Sequence, residues 1–136
     1  MITAVDTNVL LDVLRAHPDS RPASLQALRR CLAEGGLVAC DVVWAEVASE
    51  FLSPDDGRHA LELLTVGYDS IAQATALAAG IRFREYRARG GPRTRILPDF
   101  LVAAHATSHA DRLLTRDRGF YRSYFSDLVV VDPSAG

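Results

Sequence analysis

Four acidic residues in the sequence stand near points where a strand or loop is followed by a helix. They are spread over most of the 136-residue chain, yet acids at strand-to-helix junctions can converge, because the carboxyl ends of parallel strands open into one crevice. Hard divalent cations such as Mg²⁺ take oxygen ligands and keep several waters, so a few carboxylates are enough to hold one. The pattern therefore predicts a shared metal site made by Asp6, Glu46, Asp99 and Asp117.

Such a site suits the hydrolysis of a phosphodiester. One divalent cation, or a pair, can activate a water and stabilise the leaving oxygen, so that no covalent nucleophile is needed. Two neighbouring polar residues are candidates for supporting roles. Thr115 could orient the attacking water, and Asn8 could hold a carboxylate or the scissile phosphate.

Each acid also has a structural interpretation when it is taken singly, as a helix cap or a solvated side chain. Taken together they favour a common site, because clustered like charges need a cation or a proton to relieve them. Glu50 is the rival for Glu46, since it lies one helical turn further along the same face. Asp12 and Asp41 are weaker candidates.

The basic residues are all arginine, and six of the 15 lie between residues 82 and 95. The net charge of −2 and the pI near 6.0 mean that any polyanion site must be local. Arginine forks bind phosphate well. A solvated helix face is the commoner role for such a cluster, but its place just before Asp99 makes it the best candidate for nucleic-acid contact. The candidate RNA-binding residues are Arg82, Arg89, Arg93, Arg95 and Arg116.

Strands and helices alternate along the chain, which predicts a parallel sheet with helices on both faces. The predicted strands cover residues 2–5, 37–40, a short stretch around Tyr68, 113–115 and 128–131. The length indicates one domain over residues 1–136, with the last few residues as a tail. No apolar run approaches the roughly 20 residues of a membrane span, and no secretory signal opens the chain, so we expect a cytoplasmic protein.

Several helix boundaries can be read from capping and turn residues. Asp41 is predicted to cap the helix that carries Glu46. Residues 53–57 are predicted to form a turn, and residues 116–119 another. Ser70, with a glutamine three residues later, predicts a capping box at the start of a long helix.

The histidines, cysteines and clustered aromatic residues favour structural roles. His105 and His109 have a four-residue spacing that zinc sites use, but no HExxH acid lies between them, so a structural or solvated pair is favoured. We expect Cys31 and Cys40 to be small buried hydrophobic side chains. The aromatic residues between 120 and 125 could stack on bases, but core packing or a dimer contact is favoured.

Four segments resemble, in order, the signatures of the PIN-domain ribonucleases, specifically the VapC-type toxins of bacterial toxin–antitoxin pairs. They are VDTNVLLDVL, VVWAEV, LPDFLVAAHA and LLTRDRGF. Each motif alone is weak, but four in the family's order cover nearly the entire chain. The sequence departs from the family before the helix that carries Glu46, where many relatives have serine or threonine and this chain has Cys40 or Asp41. The departure affects only the expectation of one contact that supports the site.

The resemblance implies an α/β three-layer sandwich with a central, mostly parallel, five-stranded sheet flanked by helices. It also implies a Mg²⁺- or Mn²⁺-dependent endoribonuclease that inhibits translation and growth. Such a toxin is usually homodimeric, and a cognate antitoxin holds it inactive by inserting a segment near the active site.

The family's site roles carry over to positions of this sequence that match its motifs. The resemblance makes Asp6 and Asp99 direct metal ligands, and Glu46 a ligand or a water-activating group. Asp117 is a ligand that sometimes works through water. Asn8 and Thr115 match supporting polar positions.

Two other functions compete with the nuclease. A haloacid dehalogenase-like phosphatase also begins with an aspartate after its first strand, but it needs a second acid two residues later, where this chain has Asn8, and it uses a lysine that the chain lacks. The second alternative is a non-catalytic RNA- or antitoxin-binding module with a dead site. The presence of all four acids argues against that module.

Overall fold

The central sheet has five strands, and every pair of neighbouring strands is parallel. The computed structural model describes residues 1–135. The strands are β1 (Ile2–Val5), β2 (Gly36–Ala39), β3 (Val66–Tyr68), β4 (Arg112–Leu114) and β5 (Val130–Val131). Their order in the sheet is β3-β2-β1-β4-β5. The sheet is therefore entirely parallel, where the sequence predicted a mostly parallel one.

In the described part of the chain, seven helices flank this sheet, and the predicted α/β fold is confirmed. They are α1 (Thr7–Leu14), α2 (Arg21–Glu34), α3 (Asp41–Ala48), α4 (Pro54–Leu63), α5 (Gln73–Ala88), α6 (Leu97–His109) and α7 (Arg118–Tyr124). A short 3₁₀ turn, Pro133–Ala135, follows β5. Within residues 1–135, no helix combines the length and apolar character needed to cross a membrane.

β1 lies in the middle of the sheet and brings distant parts of the chain together. Ala4 pairs with Val38 of β2 on one side and with Leu113 of β4 on the other. Ala4, Val5 and Leu113 are almost fully buried, as expected for a central parallel strand covered on both faces. The residue that follows β1 consequently lies between the ends of β2 and β4.

An aromatic cluster forms the core between α5, α6 and α7. The ring of Phe100 lies 5.5 Å from that of Phe120 and 5.6 Å from that of Phe125, measured between centroids. Tyr121 and Phe125 are almost completely buried. The aromatic residues between 120 and 125 therefore mainly fill the core, as favoured from the sequence. Truncation of such a buried phenylalanine to alanine costs about 3–5 kcal/mol.

One predicted turn, and the second half of another, are instead the beginnings of helices. Residues 53–57 open α4, where Ser53 caps the helix by accepting a hydrogen bond from the Asp56 backbone N–H at 3.2 Å. Pro54 occupies the first helical position, which suits its fixed φ. Residues 118 and 119, assigned to the second turn, begin α7, because burial of its aromatic side chains outweighs their modest helix propensity.

Two predicted helix caps are also wrong. α5 begins at Gln73 after Ala72, and Ser70 makes no capping bond there, because residues 69–72 lie outside regular secondary structure. Asp41 is the first residue of α3, and Cys40 is the capping residue, without a side-chain bond. An acid at this first position still interacts favourably with the helix dipole.

Candidate active site

The four predicted acids line one open cleft beyond the carboxyl ends of β1 and β4. The cleft has a volume of about 360 Å³, and α1, α3 and α6 each contribute to its lining. Asp6 follows β1, Glu46 lies on α3, Asp99 lies in the first turn of α6 and Asp117 precedes α7. The structure thus brings together acids that are more than a hundred residues apart in the chain.

Asp6 is the most deeply buried of the four acids. Its Oδ1 accepts the Thr7 backbone N–H at 2.8 Å, which caps α1. Its Oδ2 accepts the Thr115 hydroxyl at 2.8 Å and the Tyr121 hydroxyl at 3.2 Å. Burial nevertheless raises the pKa of Asp6 to about 6, against the opposing effect of these donors, and the nearby charge of Glu46 adds to the rise. A cation beside Asp6 would relieve this cost.

Thr115 and Asn8 hold Asp6 and the loop after β4 in register. The Thr115 hydroxyl accepts the Asp117 backbone N–H at 3.0 Å and the Asn8 side-chain amide at 3.3 Å, while it donates to Asp6. The side-chain Oδ1 of Asn8 accepts the Arg116 backbone N–H at 3.2 Å. Because Thr115 is fully buried, it positions a carboxylate and has no exposed surface for an attacking water.

Glu46 and its rival Glu50 have different partners. Glu46 lines the cleft, and its Oε1 accepts the Thr7 hydroxyl at 2.8 Å. Glu50 is paired with Arg15, whose Nε donates to Oε1 at 2.8 Å. The exposed carboxylate of Glu46 is therefore the one directed to the cleft, whereas the charge of Glu50 is already balanced.

Asp99 and Asp117 lie on the wall formed by the starts of α6 and α7. Asp99 Oδ2 accepts the Ile96 backbone N–H at 3.0 Å, at the positive end of the α6 dipole. Asp117 forms a bidentate ion pair with Arg95, in which Nη2 donates to Oδ1 at 2.9 Å. The Arg95 guanidinium also lies 4.3 Å from the centroid of the Phe120 ring. Asp117 is thus neutralised by an arginine, unlike the other three acids.

The donor set fits a hard divalent cation, because all four side chains offer carboxylate oxygens. Within the described part of the chain, however, no three of these acids have oxygens within 4.8 Å of one another. Glu46 is turned to Thr7 and Asp117 to Arg95, and mutual repulsion separates uncompensated carboxylates. Holding a cation would require Glu46 and Asp117 to leave these partners and turn toward Asp6 and Asp99.

An ion pair between a buried aspartate and a partly exposed arginine of the cleft was not predicted. Arg116 Nε donates to Asp12 Oδ2 at 2.7 Å, and Nη2 donates to Oδ1 at 3.0 Å. Asp12 is almost fully buried and also accepts the Ser24 hydroxyl at 2.7 Å. Asp12 lies one helical turn after Asn8, so the helical period of α1 could have placed it on the face that meets the cleft.

The remaining candidate RNA-binding arginines lie outside this cleft. Arg82 donates from Nη1 to the Tyr124 carbonyl at 3.0 Å, and its guanidinium lies over the Phe125 ring. Arg89 and Arg93 are exposed. Arg15 is a further arginine that lines the cleft and was not among the candidates. It lies seven residues after Asn8 and hence on the same face of α1.

Comparisons with known proteins agree with this fold. The profile of the PIN domain matches residues 3–126. VapBC-1 from nontypeable Haemophilus influenzae has a TM-score of 0.74 at 22% identity, covering 98% of this chain and 99% of that chain. A toxin–antitoxin complex from Klebsiella pneumoniae has a TM-score of 0.69 at 26% identity, with coverage of 96% and 97%. VapBC2 from Rickettsia felis, bound to a DNA fragment from the promoter, has a TM-score of 0.70 at 21% identity, with coverage of 97% and 98%.

Among curated proteins, no sequence gives a significant match. The resemblance drawn from the four sequence motifs is nevertheless confirmed, because the profile spans most of the chain and the related structures share its fold over nearly their whole length. The chain therefore belongs to the PIN domain family.

Proposed function

We propose that this PIN-domain chain is a Mg²⁺- or Mn²⁺-dependent endoribonuclease that acts as the toxin of a toxin–antitoxin pair. The observation that carries the proposal is the buried carboxylate of Asp6, which lies in a cleft that Glu46, Asp99 and Asp117 also line. A fixed acid surrounded by three more acids is an arrangement suited to a cation and, through it, to a phosphodiester.

Asp6 and Asp99 are the proposed direct ligands, with Glu46 and Asp117 completing the set. Bound there, the cation would supply an activated water and charge stabilisation for the leaving oxygen of the phosphodiester. Asp6 ionises with a pKa of about 6 and is thus an available ligand at neutral pH. Glu46 is exposed to the cleft and can accept the proton of the attacking water.

The cleft is also suited to an RNA backbone because cations lie among its lining residues. Arg15 and Arg116 both line it, and a guanidinium binds a phosphate through two parallel hydrogen bonds. Each would have to exchange its present carboxylate partner, Glu50 or Asp12, for the phosphate. Arg82, Arg89 and Arg93 extend the positive charge beyond the cleft and are proposed to contact phosphates further along the RNA. Arg95 would join them if Asp117 exchanged its guanidinium for the metal ion.

The proposed partners are a cognate antitoxin and a second copy of the chain. The matched structures include VapBC assemblies and a toxin–antitoxin complex, which supports an antitoxin for this chain. Exposed apolar side chains on α5, Leu77 and Ile81, lie one turn apart and offer a contact surface for a partner. Because the proposed substrate is RNA and the proposed effect is on translation, we place its action in the cytoplasm.

The test is RNA cleavage by the purified, antitoxin-free chain. We expect cleavage of a panel of structured and single-stranded RNAs with Mg²⁺ or Mn²⁺, and none with excess chelator. Asp6→Asn and Asp99→Asn should each abolish cleavage while the protein remains folded by circular dichroism. Asp19→Asn is the matched control, because Asp19 is an exposed loop acid that does not line the cleft.

Expression in bacteria adds a cellular measurement. The wild-type chain should arrest growth, the Asp99→Asn variant should not, and sequencing of RNA ends after brief induction should identify the cleaved RNA. Full cleavage by both active-site variants would refute the assignment. RNA retention without cleavage across the whole panel of metals and RNAs would establish a binding module instead.

A further inference from the structure

A second cluster of metal-ligand side chains lies where β3 ends against α6. Asp69 Oδ2 is 2.7 Å from His105 Nε2 and 3.1 Å from His109 Nδ1. Among residues 1–135, this trio alone has its His, Cys, Asp or Glu ligand atoms all within 4.8 Å of one another. The two histidines were expected to be a structural or solvated pair, and the structure adds a carboxylate between them.

The ligand atoms of the three residues lie within 4.8 Å of one another, which is close enough for them to share one ion. His105 and His109 are four residues apart on α6, and their rings stack with centroids 4.9 Å apart. In a tetrahedral zinc site with Zn–N bonds of about 2.0–2.1 Å, ligand atoms lie roughly 3.3 Å from one another. Asp69 is already held near this position, because its backbone N–H donates to the Ala39 carbonyl at 3.0 Å. Only a small outward movement of its carboxylate is needed.

His109 has the supporting contact that metal-bound histidines usually have. Its second nitrogen, Nε2, lies 3.1 Å from the Thr75 hydroxyl on α5. A ligating histidine typically donates its other ring N–H to an oxygen, which fixes the tautomer and the ring orientation. With Nδ1 on a metal, Nε2–H would donate to Thr75. Without metal, Nδ1–H donates to Asp69 and Nε2 accepts from the Thr75 hydroxyl. The metal-bound and metal-free states of His109 therefore use the same positions of the ring and of Thr75.

Asp41 has a buried carboxylate oxygen, Oδ1, that has no hydrogen-bond partner among the described residues. Burial lowers the pKa of His105, and the charges of Asp69 and Asp41 oppose this effect. An unpartnered buried carboxylate oxygen costs free energy that a nearby cation relieves. Asp69, whose side chain is 41% exposed, leaves an entry path from solvent.

We propose that Asp69, His105 and His109 form a second metal site that takes Zn²⁺ or a similar borderline divalent ion. Imidazole nitrogens favour such ions, whereas the all-carboxylate cleft favours Mg²⁺ or Mn²⁺. None of the three residues lines that cleft. The ion would tie the end of the edge strand β3 to α6, and it would do so whether or not the chain is a nuclease.

The experiment is Zn²⁺ titration of the untagged, chelator-treated chain by calorimetry in millimolar Mg²⁺. One Zn²⁺ per chain is expected, with a rise in the unfolding temperature. His109→Gln and Asp69→Asn should each weaken Zn²⁺ binding more than about tenfold, and Thr75→Val by about tenfold through the lost supporting contact. With Co²⁺ as a spectroscopic probe, the visible absorption of the wild type should be absent in His109→Gln.

Two variants serve as controls. His59→Gln removes an exposed histidine on α4, and Asp99→Asn removes an acid of the cleft; both should bind Zn²⁺ like the wild type. Absence of Zn²⁺ binding by the wild type would overturn the proposal. Wild-type affinity for Zn²⁺ in both His109→Gln and Asp69→Asn would overturn it as well. Loss of Zn²⁺ binding in Asp99→Asn would also do so, because it would show that the ion binds in the cleft. Asp69→Asn and Thr75→Val keep the test valid if His109→Gln does not fold.

Discussion

Asp6→Asn should remove a specific pH dependence from the stability of the metal-free protein. Burial raises the pKa of Asp6 from 3.8 to about 6, while hydrogen bonds from Thr115, Thr7 and Tyr121 oppose the rise. Asparagine keeps an acceptor for the Thr7 backbone N–H, so the cap on α1 remains, but it carries no charge. The variant therefore isolates the effect of ionising this one buried group.

The sign follows from proton linkage. Because the folded-state pKa of Asp6 exceeds its unfolded-state value, the folded protein binds this proton more tightly. The contribution of this proton to the free energy of unfolding is complete below the unfolded-state pKa, and it is lost as the pH rises through the folded-state pKa. At 1.36 kcal/mol per pKa unit, a shift of about two units corresponds to roughly 3 kcal/mol in total. Between about pH 5 and pH 7.5 the loss amounts to about 1.4 kcal/mol.

The measurement is urea unfolding of wild type and Asp6→Asn in chelator from about pH 5 to pH 7.5. The difference in free energy of unfolding, wild type minus variant, should fall by about 1.4 kcal/mol over this range. Any constant offset from altered hydrogen bonds cancels in that slope. With Mg²⁺ present the slope should shrink, because the cation stabilises the ionised carboxylate. If the difference in free energy of unfolding did not change with pH in chelator, the view that burial makes the ionised form of Asp6 unfavourable would be refuted.

Two further substitutions probe the contacts around the cleft. Thr115→Val removes a hydroxyl donor from the buried carboxylate of Asp6 and should lower the free energy of unfolding by about 2 kcal/mol. Thr115→Ser keeps the hydroxyl and should not lower it. Equal stability of the two variants in urea unfolding would contradict this. Arg95→Gln frees Asp117 and should tighten Mg²⁺ binding several-fold in calorimetry while weakening RNA binding. Unchanged Mg²⁺ affinity would mean that Arg95 and the cation do not compete for Asp117.

The sequence indicated the cleft through a topological rule. Asp6 and Asp117 follow strands whose carboxyl ends share one edge of the sheet, so their approach required only that β1 and β4 be neighbours and parallel. The motifs then selected Glu46 over Glu50. Both of these inferences depend on local patterns and on strand direction, which a sequence displays well.

The pairings between side chains could not be predicted in the same way. The ion pairs of Arg95 with Asp117 and of Arg116 with Asp12 depend on how loops and helices pack after the sheet has formed. Tyr121 donates to Asp6 because packing of α7 brings its hydroxyl there, and a sequence of aromatic residues alone indicates only burial. α7 itself was missed for the same reason, since tertiary packing outweighed local propensity.

The central position of β1 also determines when the cleft can exist during synthesis. Thr115 and Asp6, which are joined by a hydrogen bond, are separated by 109 positions in the chain. A nascent chain that has only its first half outside the ribosome carries Asp6 and Glu46, but it lacks β4 and the two acids on the opposite wall. The cleft can consequently be completed only late in translation, after β4 and the residues that follow it have been made.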